Sequence, residues 1–361
     1  MKINGLPRPQ IDECLSSWVY RVEHNGSLSI HEEWFLFSKD PDYDVPVALV
    51  DLIADKAQFD LSLIQRFFSY QVNWCFPWKN RLAYCLDCFR EDIAGGGLPY
   101  WRRCWCSLHQ PICSTHRKLL STMPTQSKIG PDKPWSAFSS ELNYPPVTAL
   151  SRNHLNQTQY HSINALMIRS AFRVQNYVNL AHATKNLHLP GLRSPIPSCR
   201  FLSLVRFLFS CFLYPRTLAK GLDGIARGFQ HGLSRNSYPD GAEARIAGCE
   251  DPNTFSRMTA LILIGVVIGV IRQEVVQKYS DQLYLHAFVR RCGLVELGQY
   301  GVNLLDDTEV EEAVKIFIEL PPLLLLRVKP FVEGMKKSES VFVRRAAERI
   351  ALSIVWQVRE N

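Results

Sequence analysis

The sequence predicts a mainly α protein, and three observations carry that prediction. Apolar residues recur at helical spacing from one end to the other: Leu15, Trp18, Val19 and Val22, then Phe201, Leu204, Val205 and Leu208, and a last helix over Val341–Val358 that carries Arg344, Arg345 and Arg349. The apolar run Met258–Ile271 spans 14 residues between Arg257 and Arg272. That is short of the ~20 needed to cross a bilayer, so it reads as a buried core helix and no membrane partner is expected. Finally, two cysteine-containing knuckles around residue 100 mark a small metal-dependent module within the helical chain.

At 361 residues, 47% hydrophobic and 21% charged, the chain has the composition of a folded protein of several modules. The expected division is an N-terminal helical domain over 1–75 with a helix-turn-helix-like pair, a zinc-finger module over 76–125, a linker and irregular or helical layer over 126–197, and a helical C-terminal domain over 198–361.

The first helix begins near Asp12, which is placed to cap it, and ends at Asn25-Gly26, a pair suited to a left-handed backbone. Between Val47 and Tyr70 the pattern is two short helices about a tight corner, with Ala48, Leu49, Leu52 and Ile53 on one apolar face and Leu61, Ile64, Phe67 and Phe68 on the other. Ala54 suits the close crossing of a helix-turn-helix, while Gln58 stands where glycine is usual. In that arrangement Ser62, Gln65, Arg66 and Ser69 project toward DNA; a plain helical hairpin is the alternative. Thr122–Pro134 and Asn143–Pro146, rich in Pro, Ser, Thr, Asn and Gln, read as linker, and Pro321-Pro322 interrupts the C-terminal domain.

Charge is unevenly spread. Residues 1–60 hold 5 basic and 11 acidic side chains, 61–130 hold 9 and 3, 131–250 hold 13 and 6, and 251–361 hold 14 of each. The positive middle suits a phosphate backbone or an acidic protein surface. Eleven cysteines are too few for a disulfide scaffold, and no secretory signal opens the chain, so a reducing cytoplasm is the expected compartment.

Cys85-Leu86-Asp87-Cys88 has the two-residue gap that lets both thiolates of a turn reach one ion, and Cys113-Ser114-Thr115-His116 repeats it 24 residues later. Cys85, Cys88, Cys113 and His116 make a closed Cys3His set suited to structural zinc. Arg102 and Arg103, in the aromatic segment Pro99–Trp105, are candidate contacts to nucleic acid or a partner. Cys104, Cys106 and His109 are rival ligands with a less suitable spacing, and the remaining cysteines suit small buried hydrophobes. His31-Glu32-Glu33 followed by Cys85-x-x-Cys88 can be set against the zinc deaminase pattern, but Tyr84 replaces its proline, and Cys113 and His116 would be idle. No Gly-x-x-x-x-Gly-Lys-Ser/Thr loop occurs, and no carboxylate trio for two-metal chemistry stands out, so no catalytic centre is expected.

Pro9, Asp12, Glu13, Leu15, Ser17, Trp18, Arg21 and Asn25-Gly26 resemble the opening signature of the TniQ family of transposition target-selection proteins. The knuckle is similar to that family again, with Cys-x-x-Cys, an acidic residue (Glu91 or Asp92), Tyr100-Trp101-Arg102, Trp105, Cys-x-x-His and Leu119-Leu120. The match covers about the first 120 residues. Cys14 and Val22 depart from the serine and alanine common there, and a second cysteine knuckle is lacking. The resemblance implies an adaptor that links target DNA, directly or through an RNA-guided CRISPR effector complex, to an AAA+ ATPase of the TnsC or TniB type, with a homodimer left open. The alternative is a stand-alone zinc-finger and helix-turn-helix DNA-binding regulator.

Overall fold

A computed structural model describes residues 7–25, 40–43, 51, 67–68, 73–123, 130, 132–143, 157–213, 253–282, 293–302 and 305–359. Eleven α-helices and two ladders of two-residue strands are present among these residues, so the protein is mainly α, as the periodicity requires. The chain divides into two compact units, 1–147 with 252–254, and 148–251 with 255–361. None of the helices among the described residues is long and apolar enough to cross a membrane.

The first unit opens with α1 (Leu15–His24). Leu15, Trp18, Val19 and Val22 are buried as the spacing predicts, but so are Ser16, Ser17 and Arg21, leaving α1 enclosed on more than one face. Its ends differ from expectation. The residue at the N-cap is Cys14, without a side-chain cap, and the free N–H of Ser16 goes to Asp42 Oδ1 at 3.1 Å, while Ser16 Oγ donates to the same oxygen at 2.7 Å. A carboxylate 26 residues along the chain thus does what Asp12 was expected to do, because a helix N-terminus accepts any anion that tertiary structure brings to it. At the other end Asn25 has φ −78° and is not left-handed, and Gly26 lies outside the described residues.

After α1 come β1 (Ala83–Tyr84), α2 (Leu86–Ala94), β2 (Ser121–Thr122) and α3 (Lys133–Asn143). The two strands pair antiparallel, Ala83 opposite Thr122 and Tyr84 opposite Ser121. Helix α3 begins inside the stretch whose composition reads as linker; its Lys133 and Ala137 are buried. Of the helix-turn-helix-like pair, Asp51, Phe67 and Phe68 are described, and Phe68 packs its ring 5.6 Å from that of Trp18. Ser62, Gln65, Arg66 and Ser69 lie outside the described residues.

The second unit starts with the 27-residue α4 (Gln157–Ala183), then β3 (Asn186–Leu187), β4 (Ile196–Pro197) and α5 (Ser198–Leu213), with the two strands paired antiparallel. Phe201, Leu204, Val205 and Leu208 form the buried face of α5 as their spacing predicts. The apolar run folds as α6 (Thr254–Val267), which stops four residues short of Ile271. Gly269 takes φ +73°, and the N–H groups of Val270 and Ile271 return to the Gly265 carbonyl at 2.8 and 2.9 Å, satisfying the end of the helix. Next come α7 (Gln273–Gln282), α8 (Leu294–Gly301), α9 (Asp307–Ile318), α10 (Pro322–Met335) and α11 (Val341–Arg359). Asp306 and Glu309 close a reciprocal capping box on α9. Pro322 stands at the first position of α10, so the Pro-Pro pair starts a helix rather than dividing the domain.

Helices α8 and α10 touch through backbone. A methyl group added to Gly298 would run into the Phe331 carbonyl oxygen, and one on Gly334 into that of Val295. Backbone cannot swing aside as a side chain can, so the two helices must separate to admit it. Gly334→Ala is expected to destabilise the second unit by about 3 kcal/mol, read as a lower urea midpoint, although alanine favours an isolated helix.

Candidate metal centre

Two local structures deliver the four donors. Cys85 stands between β1 and α2 as the N-cap of α2, with Cys88 in the first turn of that helix. The second knuckle is a tight turn in which the Arg117 N–H returns to the Cys113 carbonyl at 2.8 Å and Arg117 takes φ +51°. Cys113 N–H also donates to the Lys118 carbonyl at 2.9 Å. Because β1 runs into the first knuckle and β2 follows the second, the ladder between them fixes the distance from one to the other.

The four ligand atoms all lie within 4.8 Å of one another. His116 Nδ1 is 3.5 Å from Cys85 Sγ, 3.3 Å from Cys88 Sγ and 3.6 Å from Cys113 Sγ, and the Cys88 and Cys113 sulfurs are 3.6 Å apart. The three cysteines are buried and His116 is half-buried. This buried Cys3His cluster could hold a metal ion, and the pairing of the two knuckles is the one the spacing predicts.

The other imidazole nitrogen completes the case. His116 Nε2 lies 2.9 Å from Glu91 Oε1, so a proton on Nε2 leaves the Nδ1 lone pair facing the sulfurs. Glu91 is three residues after Cys88 in α2, a spacing that puts both on one helix face. Sequence reasoning offered Glu91 or Asp92 only as a family likeness. The structure separates their parts, since Asp92 instead takes a two-pronged pair from Arg102, with Nη2 to Oδ1 at 2.8 Å and Nη1 to Oδ2 at 3.1 Å. A second clasp joins α2 to the turn, Lys118 Nζ donating to Asp87 Oδ2 at 2.5 Å and holding that carboxyl below its usual range.

Hydrogen bonding within the cluster sorts the thiols. Contact with Cys113 raises Cys85 to about 11 and raises Cys88 as well, while Cys113, accepting from both, is held well below the ordinary thiol value. Burial opposes charge on His116, but Glu91 and Cys113 together outweigh it and raise the imidazole. An ion entering the cluster must therefore displace the protons of Cys85 and Cys88.

Cys104, Cys106 and His109 stay outside the cluster. His109 Nδ1 is 3.0 Å from Ser107 Oγ, its ring meets Trp74 edge-on at 5.3 Å, and Cys106 Sγ sits 3.8 Å from Cys14 Sγ. The aromatic segment beside the cluster forms the core of the unit: Trp101 and Trp105 are buried with Tyr84 and Phe89, at centroid separations of 5.4–6.0 Å.

The N-terminal segment is bolted onto this core. Cys14 N–H donates to the Trp101 carbonyl at 2.9 Å, Trp101 N–H to Ser17 Oγ at 2.8 Å, Arg103 N–H to the Asp12 carbonyl at 2.7 Å, and Cys104 N–H to Asp12 Oδ2 at 3.2 Å. Asp12 thus caps the 3-10 turn Arg103–Cys106 rather than α1. Glu13, fully buried, takes Arg21 Nη1 at 2.6 Å and the Gln10 N–H at 3.0 Å. Burial lifts its carboxyl to about 7, with Arg21 pulling the other way. Arg102 also lies over the Tyr100 ring at 4.1 Å and the Trp105 ring at 5.0 Å. Arg103 donates to the carbonyls of Phe67 and Ile11 at 2.8 and 2.6 Å. Both arginines proposed from sequence as partner contacts have their guanidinium groups engaged within this unit.

Sequence reasoning missed the clamp at Arg81, which is buried, bonds Asp40, reaches Asp42 Oδ2 at 2.8 Å and lies over the Tyr43 ring at 4.9 Å. It also missed Lys133, whose ammonium lies 3.8 Å from the centroid of Trp101. A lone arginine or lysine in the sequence gives no sign of either.

No family model, no curated protein and no solved structure matches the chain.

Two predictions follow from this geometry. Metal affinity is expected to fall with falling pH by about two decades per unit or more, since two thiol protons and, as the raised His116 imidazole charges, a third compete for the site, and Glu91→Gln to weaken it about tenfold or more; competition with a chromogenic chelator measures both. Glu13 has a folded value above its ordinary one, so its contribution favours folding most below about pH 4.5 and is lost as pH rises through about 7. Arg21→Met, which strips the charged form of its partner, should cost roughly 3–5 kcal/mol at pH 8 and clearly less at pH 5, by urea unfolding of each protein at each pH.

Proposed function

We propose that this chain is a non-catalytic, zinc-stapled adaptor for transposition target-site selection. In this role it links target DNA, directly or through an RNA-guided CRISPR effector complex, to an AAA+ transposition ATPase. One observation carries the reading. The two segments that resemble TniQ proteins, Asp12–Arg21 and Cys85–His116, fold against each other as one body, through the main-chain bonds of Asp12, Cys14 and Trp101 and the hydroxyl of Ser17. Among the residues behind the resemblance, Ser17 Oγ accepts from the Trp101 N–H and Arg21 lies over the Tyr100 ring at 5.8 Å, so the two segments meet in part through the residues that carry the likeness.

Zinc is the ion the donor set suits. With thiolates at about 2.3 Å and imidazole nitrogen at about 2.05 Å, a tetrahedral zinc site has edges of about 3.8 Å between sulfurs and about 3.5 Å between sulfur and nitrogen. The cluster's 3.6 Å and 3.3–3.6 Å lie close to both. Four protein donors fill the tetrahedron, a set that suits a structural ion and leaves no position for substrate water. The deaminase alternative needs three ligands and an open position, and its Glu33 lies outside the described residues. Zinc here supplies folding free energy: Cys85, Cys88, Cys113 and His116 hold it, Glu91 orients the imidazole, and the aromatic core excludes water from the sulfurs.

The expected outcome in a pull-down is about one zinc per chain and retention of the ATPase encoded with it only when target duplex or a co-encoded guide complex is present. Which of the two is required identifies the targeting route. Tight binding of one duplex with no ATPase retained under any condition would instead establish a stand-alone regulator.

A further inference from the structure

Between Glu141 and Asp223 the chain contains no acidic residue, yet it carries nine lysines and arginines. The described part of that stretch is α4, the β3–β4 connection and α5, and there Arg169, Arg173, Lys185, Arg193, Arg200 and Arg206 are all exposed. Arg200 donates to the Glu319 carbonyl at 2.5 Å. Among the described residues no carboxylate forms an ion pair with the other five, in contrast to Arg21, Arg81, Arg102 and Arg349, each of which has its acid.

Helix α4 sorts its residues cleanly. Met167, Ala171, Val174, Val178 and Ala181 are buried at helical spacing. The opposite stripe is Arg169, Arg173, Asn176 and Leu180, all exposed, on a helix about 40 Å long. Lys185, two residues past its end, and Arg193, in the β3–β4 connection, are exposed as well.

We propose that this outer stripe of α4, Arg169, Arg173 and Asn176, with Lys185 and Arg193 beyond it, is a binding surface for the phosphate backbone of a nucleic acid. The guanidinium fork matches two phosphate oxygens at once, and Asn176 can donate to a third. No acidic residue of this stretch of chain stands among the cations to repel a polyanion. A protein interface of this length would have an aromatic or apolar centre; here Leu180 is the one apolar residue of the stripe. The proposal is independent of the adaptor reading, for a chain that binds nucleic acid here without retaining an ATPase keeps this surface and loses that function.

The test uses the full, zinc-loaded chain and fluorescence anisotropy with a labelled duplex DNA of arbitrary sequence and a labelled single-stranded RNA, across a salt series. Arg169→Ala with Arg173→Ala should reduce affinity tenfold or more and lower the slope of log K against log salt by about 2, because each phosphate contact contributes about 0.9. Alanine favours helix at these exposed positions, and circular dichroism checks that the fold is kept. Arg349→Ala, which removes a cation paired with Glu311, should leave affinity and slope unchanged. The tighter of the two probes identifies the nucleic acid. Unchanged affinity and slope in the double variant overturn the proposal, as does binding of poly-glutamate by a chain that ignores both nucleic acids.

Discussion

The first unit depends on the convergence of four donors from two knuckles that lie 24 residues apart in sequence. A two-strand ladder of two residues each is too short to stand alone in water, and α2 has nine residues, fewer than an isolated helix needs. Neither knuckle has a reason to persist without the other. The ladder brings Cys85 and Cys113 together, and the cluster in turn fixes the ladder. Trp101, Trp105, Tyr84 and Phe89 then gain a wall to pack on, and α1 gains a surface to dock on.

Docking of α1 is polar at its edge and apolar at its centre. Trp18, Val19 and Val22 fill the interior, while Asp12, Glu13, Ser17 and Arg21 satisfy backbone groups and each other. Buried polar groups are costly unless bonded, so this rim specifies one orientation of the helix more sharply than apolar contact would. Asp42 and Arg81 extend the same network, since Asp42 accepts from Ser16 and from Arg81. A short acidic loop thereby closes both the end of a helix and the charge of a buried arginine.

Periodicity made the helices legible, and spacing made the cluster legible, because both depend on neighbours in sequence. Val341 to Val358 needed nothing further, and neither did the two knuckles. What stayed hidden was long-range. Asp12 has every local qualification to cap α1, yet it caps a turn 91 residues away, and Asp42 takes its place. The polar composition around Pro134 suggests a linker, yet Lys133 is buried over Trp101 and α3 starts there. Glu91 was visible as an acid near a cysteine, but only the folded turn brings His116 to it. In each case tertiary contact assigned a partner that local propensity could not name.

The same distinction governs charge. Counted along the sequence, residues 61–130 and 131–250 look like one positive field. In the folded chain they differ. Arg81, Arg102 and Lys118 are matched by Asp42, Asp92 and Asp87, and Lys133, from the second segment, is covered by two indoles, so these cations are engaged in holding the metal module together. Long-range attraction needs charge that is exposed and uncompensated, because a paired guanidinium presents a dipole whose field falls away quickly. On α4 the cations stand in water with no acidic residue in their stretch of chain. The metal module is thus suited to shape and orientation and the long helix to electrostatic capture, two tasks that conflict when asked of the same arginines.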